Sequence, residues 1–299
     1  MNVLFAGLVA LVVAQAGIPT GSAQFTACVN DLPIEVFTYK PAGFDRGPLI
    51  LVFHGTGRNA DEYRDDARAM ADRFGALIAA PKFDAQRFPG RKYHRAGLLR
   101  GDGTVAPEKE WTGKLIPMLA QEVRMREGRP EMPYYLIGHS AGGQFLARVA
   151  GFVDTGARRV VISNPSAMLY PSRCDWLYRY PYGFGGLPDE LSDDDHLKFY
   201  LAQPITIYLG ASDTLRDEDL DDSPEADMLG QSRYERGRNV FFAGQALAKQ
   251  KSWPFRWRLV EADGVGHDHE KIFNHPNCKD ALFGAEGGAK PTPARNGMP

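Results

Sequence analysis

Short apolar runs alternate with longer amphipathic stretches over most of this chain. Two of the runs, Leu49–Phe53 and Val160–Ile162, are apolar at consecutive positions, which is typical of strands buried on both faces. Alternation of such runs with helix-length amphipathic segments favours a parallel sheet covered by helices. We therefore predict an α/β fold with a mostly parallel central sheet flanked by helices.

The same pattern gives the bounds of individual elements. The predicted strands are Ile34–Tyr39, Leu49–His54, Ala76–Ala80, Tyr134–Ile137, Arg159–Ser163, Ile205–Leu209 and Arg256–Glu261. The predicted helices are Ala60–Phe74, Lys109–Glu127, Ala141–Phe152 and Gln231–Lys251. A proline inside a helix removes a hydrogen bond and clashes with the preceding turn, so Pro117 is expected to kink or break the second helix.

The segment 164–199 fits neither pattern. Its Pro and Gly residues are interspersed with the aromatic residues Tyr170, Trp176, Tyr178, Tyr180, Tyr182 and Phe184. Long irregular segments in compact domains are commonly lids or binding loops, so we predict a lid-like insert here. Its aromatic side chains either line a substrate cleft or pack on the core. Tyr170 and Tyr182 are candidate substrate-binding residues, as is Trp111, for which a place in the core is an equal alternative.

The N-terminus resembles an export signal. The first thirty residues carry no charged side chain, and Val3–Ala14 is an almost unbroken apolar run of twelve residues. This run is shorter than the roughly 20 residues that cross a bilayer but fits the apolar region of a signal peptide. Small-residue cleavage motifs end at Ala16 and Ala23, and the second is preferred, giving a signal over 1–23. The protein is expected to be secreted or periplasmic with no stable membrane anchor; a buried N-terminal helix is the alternative.

Charge and composition narrow the class of partner. The formal net charge is −2, from 35 Lys+Arg against 37 Asp+Glu, and without a long basic run nucleic acid is not expected as a partner. Cys28, Cys174 and Cys278 lack the paired spacing of a zinc site, and in an oxidising compartment any two of them could form a disulfide. The Gly-, Pro- and Ala-rich segment 285–299 is expected to be disordered.

The clearest chemical motif is Gly138-His139-Ser140-Ala141-Gly142, between a predicted strand and a predicted helix. A serine at such a turn has a strained backbone that lifts its hydroxyl clear of the sheet. The helix that follows supplies free N–H groups and the positive end of its dipole, which suit a developing negative charge. These features predict Ser140 as a nucleophile and the amide of Ala141 as one oxyanion donor.

A serine nucleophile needs a base, and a base needs an orienting acid. His267 follows the last predicted strand in the Gly-rich string Gly264-Val265-Gly266 and is the predicted base, with His269 as a competitor. Asp213 is the first acidic residue after the preceding strand and is the predicted acid. Rival carboxylates follow at Asp217, Glu218, Asp219, Asp221 and Asp222. That acidic run lacks the ligand spacing of a calcium loop and is expected to be a solvated face.

A second oxyanion donor is expected from the loop after the strand Leu49–His54. The loop continues as Gly55-Thr56-Gly57, and small residues let a backbone amide approach a substrate oxygen. Thr56 is the first candidate and Gly57 the second. His54 is expected to pack or hydrogen-bond beneath this loop. Chemistry of this kind requires neither a metal nor an organic cofactor.

In chain order, the HG string at 54–55, the GxSxG string at 138–142, Asp213 and His267 resemble the α/β-hydrolase superfamily across the mature chain. The strings HGTGRNADEY at 54–63, GHSAGGQF at 138–145 and GVGHD at 264–268 are similar to those of bacterial polyhydroxyalkanoate-depolymerase-like and feruloyl-esterase-like hydrolases. The resemblance implies an α/β-hydrolase fold and a serine esterase acting on a small-molecule or oligomeric ester. The alternatives are an acyltransferase or peptidase on the same triad, or a catalytically silent binding protein.

Overall fold

The computed structural model describes residues 17–284, which are arranged around an eight-stranded sheet. The strands are β1 (Gly21–Val29), β2 (Leu32–Lys40), β3 (Leu49–Phe53), β4 (Leu77–Pro81), β5 (Tyr134–His139), β6 (Val160–Ser163), β7 (Ile205–Gly210) and β8 (Arg258–Ala262). Their order in the sheet is β1-β2-β4-β3-β5-β6-β7-β8. The pairs β1–β2 and β2–β4 are antiparallel, and every pair from β4 to β8 is parallel. This topology confirms the predicted α/β-hydrolase fold.

Helices connect the strands and cover both faces of the sheet. They are α1 (Ala60–Asp66), α2 (Arg68–Phe74), α3 (Leu115–Arg126), α4 (Ala141–Phe152), α5 (Asp189–Ser192), α6 (Asp194–Ala202), α7 (Pro224–Asp227), α8 (Arg233–Lys251), α9 (His269–Asn274) and α10 (Cys278–Phe283). Among residues 17–284, none of the helices combines the length and apolar character that crossing a membrane requires.

Strand β3 shows how the two faces are filled. Leu49, Leu51 and Phe53 belong to one buried cluster, together with apolar residues of α3, α4 and α8. Ile50 and Val52 belong to the other, together with apolar residues of α1, α2, α9 and α10. Successive strand residues point to opposite faces, so the uninterrupted apolar run follows from burial on both sides.

Two helix predictions need correction. The predicted helix Ala60–Phe74 is divided at Ala67 into α1 and α2. The predicted helix Lys109–Glu127 becomes α-helical only at Leu115, after two short 3₁₀ turns. Pro117 therefore lies in the first turn of α3, where the N–H that proline lacks would have no helical acceptor in any case. Pro117 does not break the helix, and that prediction was wrong.

Strand β1 was not predicted, because its first residues were assigned to the export signal. The turn to β2 is formed by Asn30 and Asp31, whose φ angles of 51° and 61° suit a two-residue hairpin. Gly21–Ala23 pair with Thr38–Lys40 of β2. The preferred cleavage after Ala23 falls inside this strand and would remove three paired residues.

The chain before β1 is also held in place. Ile18 is buried, and its backbone N–H donates to the Glu127 carboxylate at 3.1 Å, while its carbonyl accepts from Lys40 at 3.1 Å. A chain that begins at Gly17 retains these contacts. Residues 1–16, which hold most of the predicted signal, and the predicted disordered tail at 285–299 lie outside the described residues.

The predicted insert at 164–199 is irregular up to Pro188 and then forms α5 and α6. Phe184 is completely buried in the core, and the rings of Tyr170 and Tyr178 stack with centroids 4.0 Å apart. Much of its aromatic content therefore packs on the protein itself. The three cysteines are all free thiols in the structure, with Cys278 buried.

Candidate active site

The predicted nucleophile, acid and base all lie at the carboxyl edge of the parallel strands. Ser140 follows β5, Asp213 lies three residues beyond β7, and His267 lies in the loop after β8. In register, His139 pairs with Ser163 of β6, and Gly210 of β7 pairs with Ala262 of β8. Ligands of open α/β sheets bind in the crevice at this edge.

Ser140 occupies a strained turn between β5 and α4. Its φ and ψ are 56° and −119°, a conformation that non-glycine residues rarely adopt. Close crossing of the strand and the helix produces the turn. A Cβ atom on Gly138 would collide with the Gly142 carbonyl, and one on Gly142 with the Phe53 carbonyl of β3. The glycines are required because backbone occupies the space that side chains would fill.

The N-terminus of α4 presents free amides beside Ser140. The first helical hydrogen bond runs from the Gln144 N–H to the Ser140 carbonyl at 2.9 Å, so the N–H of Ala141 has no acceptor within the helix. Thr56, Ser140 and Ala141 all line one cavity of about 550 Å³. Gly57, the second candidate for an oxyanion donor, is exposed but does not line this cavity.

Asp213 and His267 form a hydrogen-bonded pair. The Asp213 carboxylate is only 2% exposed, and its Oδ2 accepts a hydrogen bond from His267 Nδ1 at 2.8 Å. A proton on Nδ1 leaves Nε2 of the neutral ring as the basic atom. The ring of His139, next to Ser140 in the chain, lies with its centroid 4.5 Å from that of His267. This tilted ring contact places His267 beside the residue that precedes Ser140.

The competitors for these roles have other partners. Both carboxylate oxygens of Asp217 accept hydrogen bonds from Arg233, at 2.7 and 2.6 Å, and these bonds lower the pKa of Asp217. His269 stacks on Tyr63 with centroids 4.0 Å apart, and its Nε2 lies 2.7 Å from Asp66. The structure therefore brings Asp213 and His267 together and holds their nearest rivals elsewhere.

Asn164, the residue after β6, was not identified from the sequence. Its Nδ2 donates to Asp213 Oδ2 at 2.5 Å, and its Oδ1 accepts from the Gly210 N–H at 2.9 Å. A longer bond of 3.4 Å reaches the carbonyl of Gly266, beside His267. One buried amide thus connects the loops that follow β6, β7 and β8. An Asn after a strand is typical of any loop, so no sequence signal distinguished it.

Two other histidines near the site are buried and structural. His54 Nε2 accepts from the Phe83 N–H at 3.0 Å, so the proton of the neutral ring sits on Nδ1, which donates to the Gly55 carbonyl at 2.9 Å. Burial lowers the pKa of His54 to about 4. Burial also lowers the pKa of His139 well below its usual range. His54 lies beneath the loop, as the sequence predicted.

The three predicted substrate-binding residues occupy different places. Trp111 is 3% exposed, its Nε1 donates to the Ala106 carbonyl at 2.7 Å, and it belongs to the core. Tyr170 stacks on Tyr178 and does not line the cavity. Tyr182 does line it, with its hydroxyl 2.8 Å from Asp221. The core alternative for Trp111 is the one that the structure shows.

Several cavity residues were missed. Gln144 and Arg148 follow Ser140 at four-residue intervals along α4, so the helical period was a usable signal that they share its face. Arg91, His94 and Arg95 also line the cavity, but they come from an irregular segment between β4 and α3. Nothing local in the sequence places that segment beside Ser140.

Comparisons with known proteins show the family of the fold. No protein-family model matches the chain, and no curated protein does. Among solved structures it is similar to LpqC, a poly(3-hydroxybutyrate) depolymerase from Bordetella parapertussis, with 31% identity, a TM-score of 0.79, and coverage of 91% of this chain and 93% of that chain. It is also similar to poly(aspartic acid) hydrolase-1 from Sphingomonas sp. KT-1, with 28% identity, a TM-score of 0.77, and coverage of 85% and 96%. Siderophore hydrolase EstB from Aspergillus nidulans shares the fold, with 15% identity, a TM-score of 0.51, and coverage of 91% and 95%.

Replacing Asn164 tests its connection to Asp213. Since Asn164 has a φ of 42°, Asn164→Gly removes the amide without adding backbone strain. We expect kcat to fall about 10- to 100-fold, the range typical of lost support for a catalytic group, with little change in KM. The Asp213 carboxylate, with one donor fewer, should orient the His267 ring less firmly, and this acts on turnover rather than on substrate binding. The measurements are kcat and KM from steady-state kinetics.

Asn239→Ala is the matched control, because Asn239 also donates from Nδ2 to a main-chain carbonyl but lies on α8. Asn239→Ala should leave kcat unchanged, and an unchanged kcat in Asn164→Gly as well would show that Asn164 supports only the loops.

Proposed function

Because the chain belongs to the α/β-hydrolase superfamily, we propose that it is an exported serine hydrolase that cleaves carboxylic esters through an acyl-enzyme. One observation carries the proposal: the buried Asp213 carboxylate holds His267 Nδ1 at 2.8 Å, at the sheet edge where Ser140 occupies a strained strand-to-helix turn. A nucleophile, a base and an orienting acid in this chain order are the parts of a catalytic triad.

In the first half-reaction the Ser140 hydroxyl attacks the ester carbonyl while His267 Nε2 takes its proton. The imidazolium that forms faces the Asp213 carboxylate, which stabilises its charge. The carbonyl oxygen becomes an oxyanion and accepts hydrogen bonds from the amides of Ala141 and Thr56. When the tetrahedral intermediate collapses, His267 returns the proton to the departing alkoxide, and the acyl group stays on Ser140.

In the second half-reaction His267 removes a proton from water, and the resulting hydroxide attacks the acyl-enzyme. Collapse of the second tetrahedral intermediate releases the carboxylic acid and returns the proton to Ser140. Thr56 is preferred to Gly57 as the second oxyanion donor because Thr56 lines the cavity with Ser140 and Ala141. No step requires a metal or an organic cofactor.

The similar proteins support hydrolysis as the reaction class. The Bordetella parapertussis protein is described as a poly(3-hydroxybutyrate) depolymerase, whose substrate is a polyester, and the chain matches it over nearly its whole length. An ester of an oligomeric or small soluble acid fits both this likeness and a cavity of about 550 Å³. Water rather than an alcohol or an amine is the proposed acceptor of the acyl group.

Labelling with a fluorophosphonate tests the nucleophile. We expect a single covalent adduct on Ser140, since attack on phosphorus with loss of fluoride requires an activated serine. The measurement is intact mass followed by peptide mapping. Ser140→Ala should lose the adduct and ester turnover, whereas Ser166→Ala, which changes another serine of the cavity, should keep the adduct. An unlabelled but folded protein would favour the silent binding protein instead.

Substitution of the two nearest carboxylates tests the acid. Asp213→Asn should lower kcat by several orders of magnitude, about 10⁴-fold in the well-studied serine protease triad, because the amide cannot stabilise the imidazolium. Asp217→Asn is the matched control, since Asp217 binds Arg233 and not His267, and should retain most of kcat. Steady-state kinetics on one ester decides between them. The opposite ranking would make Asp217 the acid.

Export rests on the uncharged, apolar N-terminus. Because cleavage after Ala23 would remove residues of β1, we propose the earlier motif, so that the mature chain begins at Gly17. Intact mass of protein collected from the periplasm or medium is the measurement. A mature start at Gln24 would show that β1 tolerates the loss of Gly21–Ala23, and an uncleaved chain kept in the cytoplasm would contradict export.

A further inference from the structure

The cavity at Ser140 has an uneven distribution of charge. Arg91, His94 and Arg95 line the cavity and are called its arginine wall. Arg148 of α4, which follows Ser140 and Gln144 along the helix, also lines it. Glu218, Asp219 and Asp221 also line the cavity and are called its acidic wall. A substrate in this cavity therefore meets cationic and anionic side chains from separate segments of the chain, in the cavity that Ser140 also lines.

Arg148 is the most unusual of these residues. It is 1% exposed, and its guanidinium makes four hydrogen bonds, all to main-chain carbonyls of Gln144, Ala167 and Pro181. A guanidinium has five N–H donors, so these bonds leave one on Nη2. Among residues 17–284, no carboxylate lies within 4.0 Å of it, and burial lowers its pKa. The positive charge at this position has no counterion from the protein.

The arginine wall also carries positive charge that has no counterion from residues 17–284 of the protein. Arg91 and Arg95 are exposed, and within the described part of the chain neither forms an ion pair. His94 between them has a buried Nε2 with no hydrogen-bond partner. Burial, followed by the charges of Arg58, Arg148 and Arg95, lowers the pKa of His94 to about 4, so the ring is neutral at pH 7. Because the His94 ring is neutral, the positive charge of this wall comes from Arg91 and Arg95.

The acidic wall makes the cavity selective in orientation. Asp221 accepts hydrogen bonds from the Tyr182 hydroxyl at 2.8 Å and the Ser223 N–H at 3.2 Å, and Asp219 and Glu218 are exposed. An anionic group on the substrate is repelled from these carboxylates and attracted to the arginine wall. Hydroxyl groups of the substrate are suited to the carboxylates as hydrogen-bond donors.

The distance from Ser140 to Arg148 fits a charged substrate group that lies several bonds from the ester carbonyl. Ser140 and Arg148 are eight residues apart on one helical face, about 12 Å between Cα atoms at 1.5 Å per residue. Side chains on a helix lean toward its N-terminus, which brings the guanidinium closer to Ser140 than its Cα.

We propose that this cavity selects esters whose acid or alcohol part carries a free carboxylate, and that Arg91 and Arg95 bind that carboxylate in the cavity that the buried Arg148 also lines. This inference rests on the proposed function, because it assigns a substrate class to the same site. The chemical reason is that unpaired arginines form strong, charge-assisted hydrogen bonds with carboxylates.

The experiment compares matched pairs of esters in the full mature protein. One pair carries the charge on the acid part: the mono-4-nitrophenyl ester of glutaric acid against 4-nitrophenyl pentanoate. The other pair carries the charge on the alcohol part: 3-butanoyloxybutanoate against its primary amide. Hydrolysis of this pair is measured by titrating the acid that is released. We expect kcat/KM to be about tenfold higher for the charged member of at least one pair, and 0.5 M NaCl to reduce the preference by screening.

The variant that tests the arginine wall is Arg91→Gln combined with Arg95→Gln. Both side chains are exposed, so replacing them should not unfold the protein. We expect it to lower the charged-to-neutral ratio of kcat/KM about tenfold, equivalent to about 1.4 kcal/mol. Arg46→Gln is the matched control, because Arg46 is exposed and precedes β3, at the opposite edge of the sheet from Ser140. Its ratio should equal that of the unmodified protein.

The outcomes separate this inference from the proposed function. Hydrolysis of both members with no preference for the charged one in either pair, or a ratio that survives the double substitution, would overturn the carboxylate site and leave the esterase intact. Failure to hydrolyse any of the four esters above the rate of Ser140→Ala would overturn both.

Discussion

The site depends on the close crossing of strand β5 and helix α4. Backbone carbonyls of β3 and of α4 itself occupy the positions where side chains at Gly142 and Gly138 would begin. The chain can pass from strand to helix at this separation only by placing Ser140 at a φ of 56°. The strain is maintained because the sheet and the helix are fixed by burial on both sides. The Ser140 hydroxyl at the cavity and the free amide of Ala141 are consequences of that packing.

A second constraint is the burial of Asp213. A buried carboxylate is stable only when hydrogen bonds replace its water, and here Asn164 and His267 both donate to Oδ2. Arg233 lies 3.5 Å from Oδ1 but directs its two short bonds to Asp217. This division keeps the stronger ion pair away from His267, so Asp213 Oδ2 remains the hydrogen-bond acceptor of the imidazole.

The buried guanidinium of Arg148 links the cavity to the irregular segment after β6. Its bonds to the carbonyls of Ala167 and Pro181 hold that segment against α4, and the same residue carries a positive charge to the cavity. The segment was predicted as a lid because it is long and irregular, and its aromatic residues were expected either to line a cleft or to pack on the core. In the structure those residues mainly pack on the core, while a charged side chain from a helix fixes the path of the segment.

The sequence by itself determined the parallel sheet, the helices that cover it and the order of Ser140, Asp213 and His267. These follow from the period of apolar residues, from glycines at a turn and from position along the chain, all of which are local. Only the tertiary structure decided that Asp213 rather than Asp217 faces His267, that Asn164 joins them, that Trp111 is in the core, and that four cationic or imidazole side chains surround the cavity. Asn164 is 49 residues from Asp213, and His267 is 54 residues from it. Contacts over such separations are set by how the strands are ordered and how side chains fill space between them, and a linear sequence pattern does not carry that information.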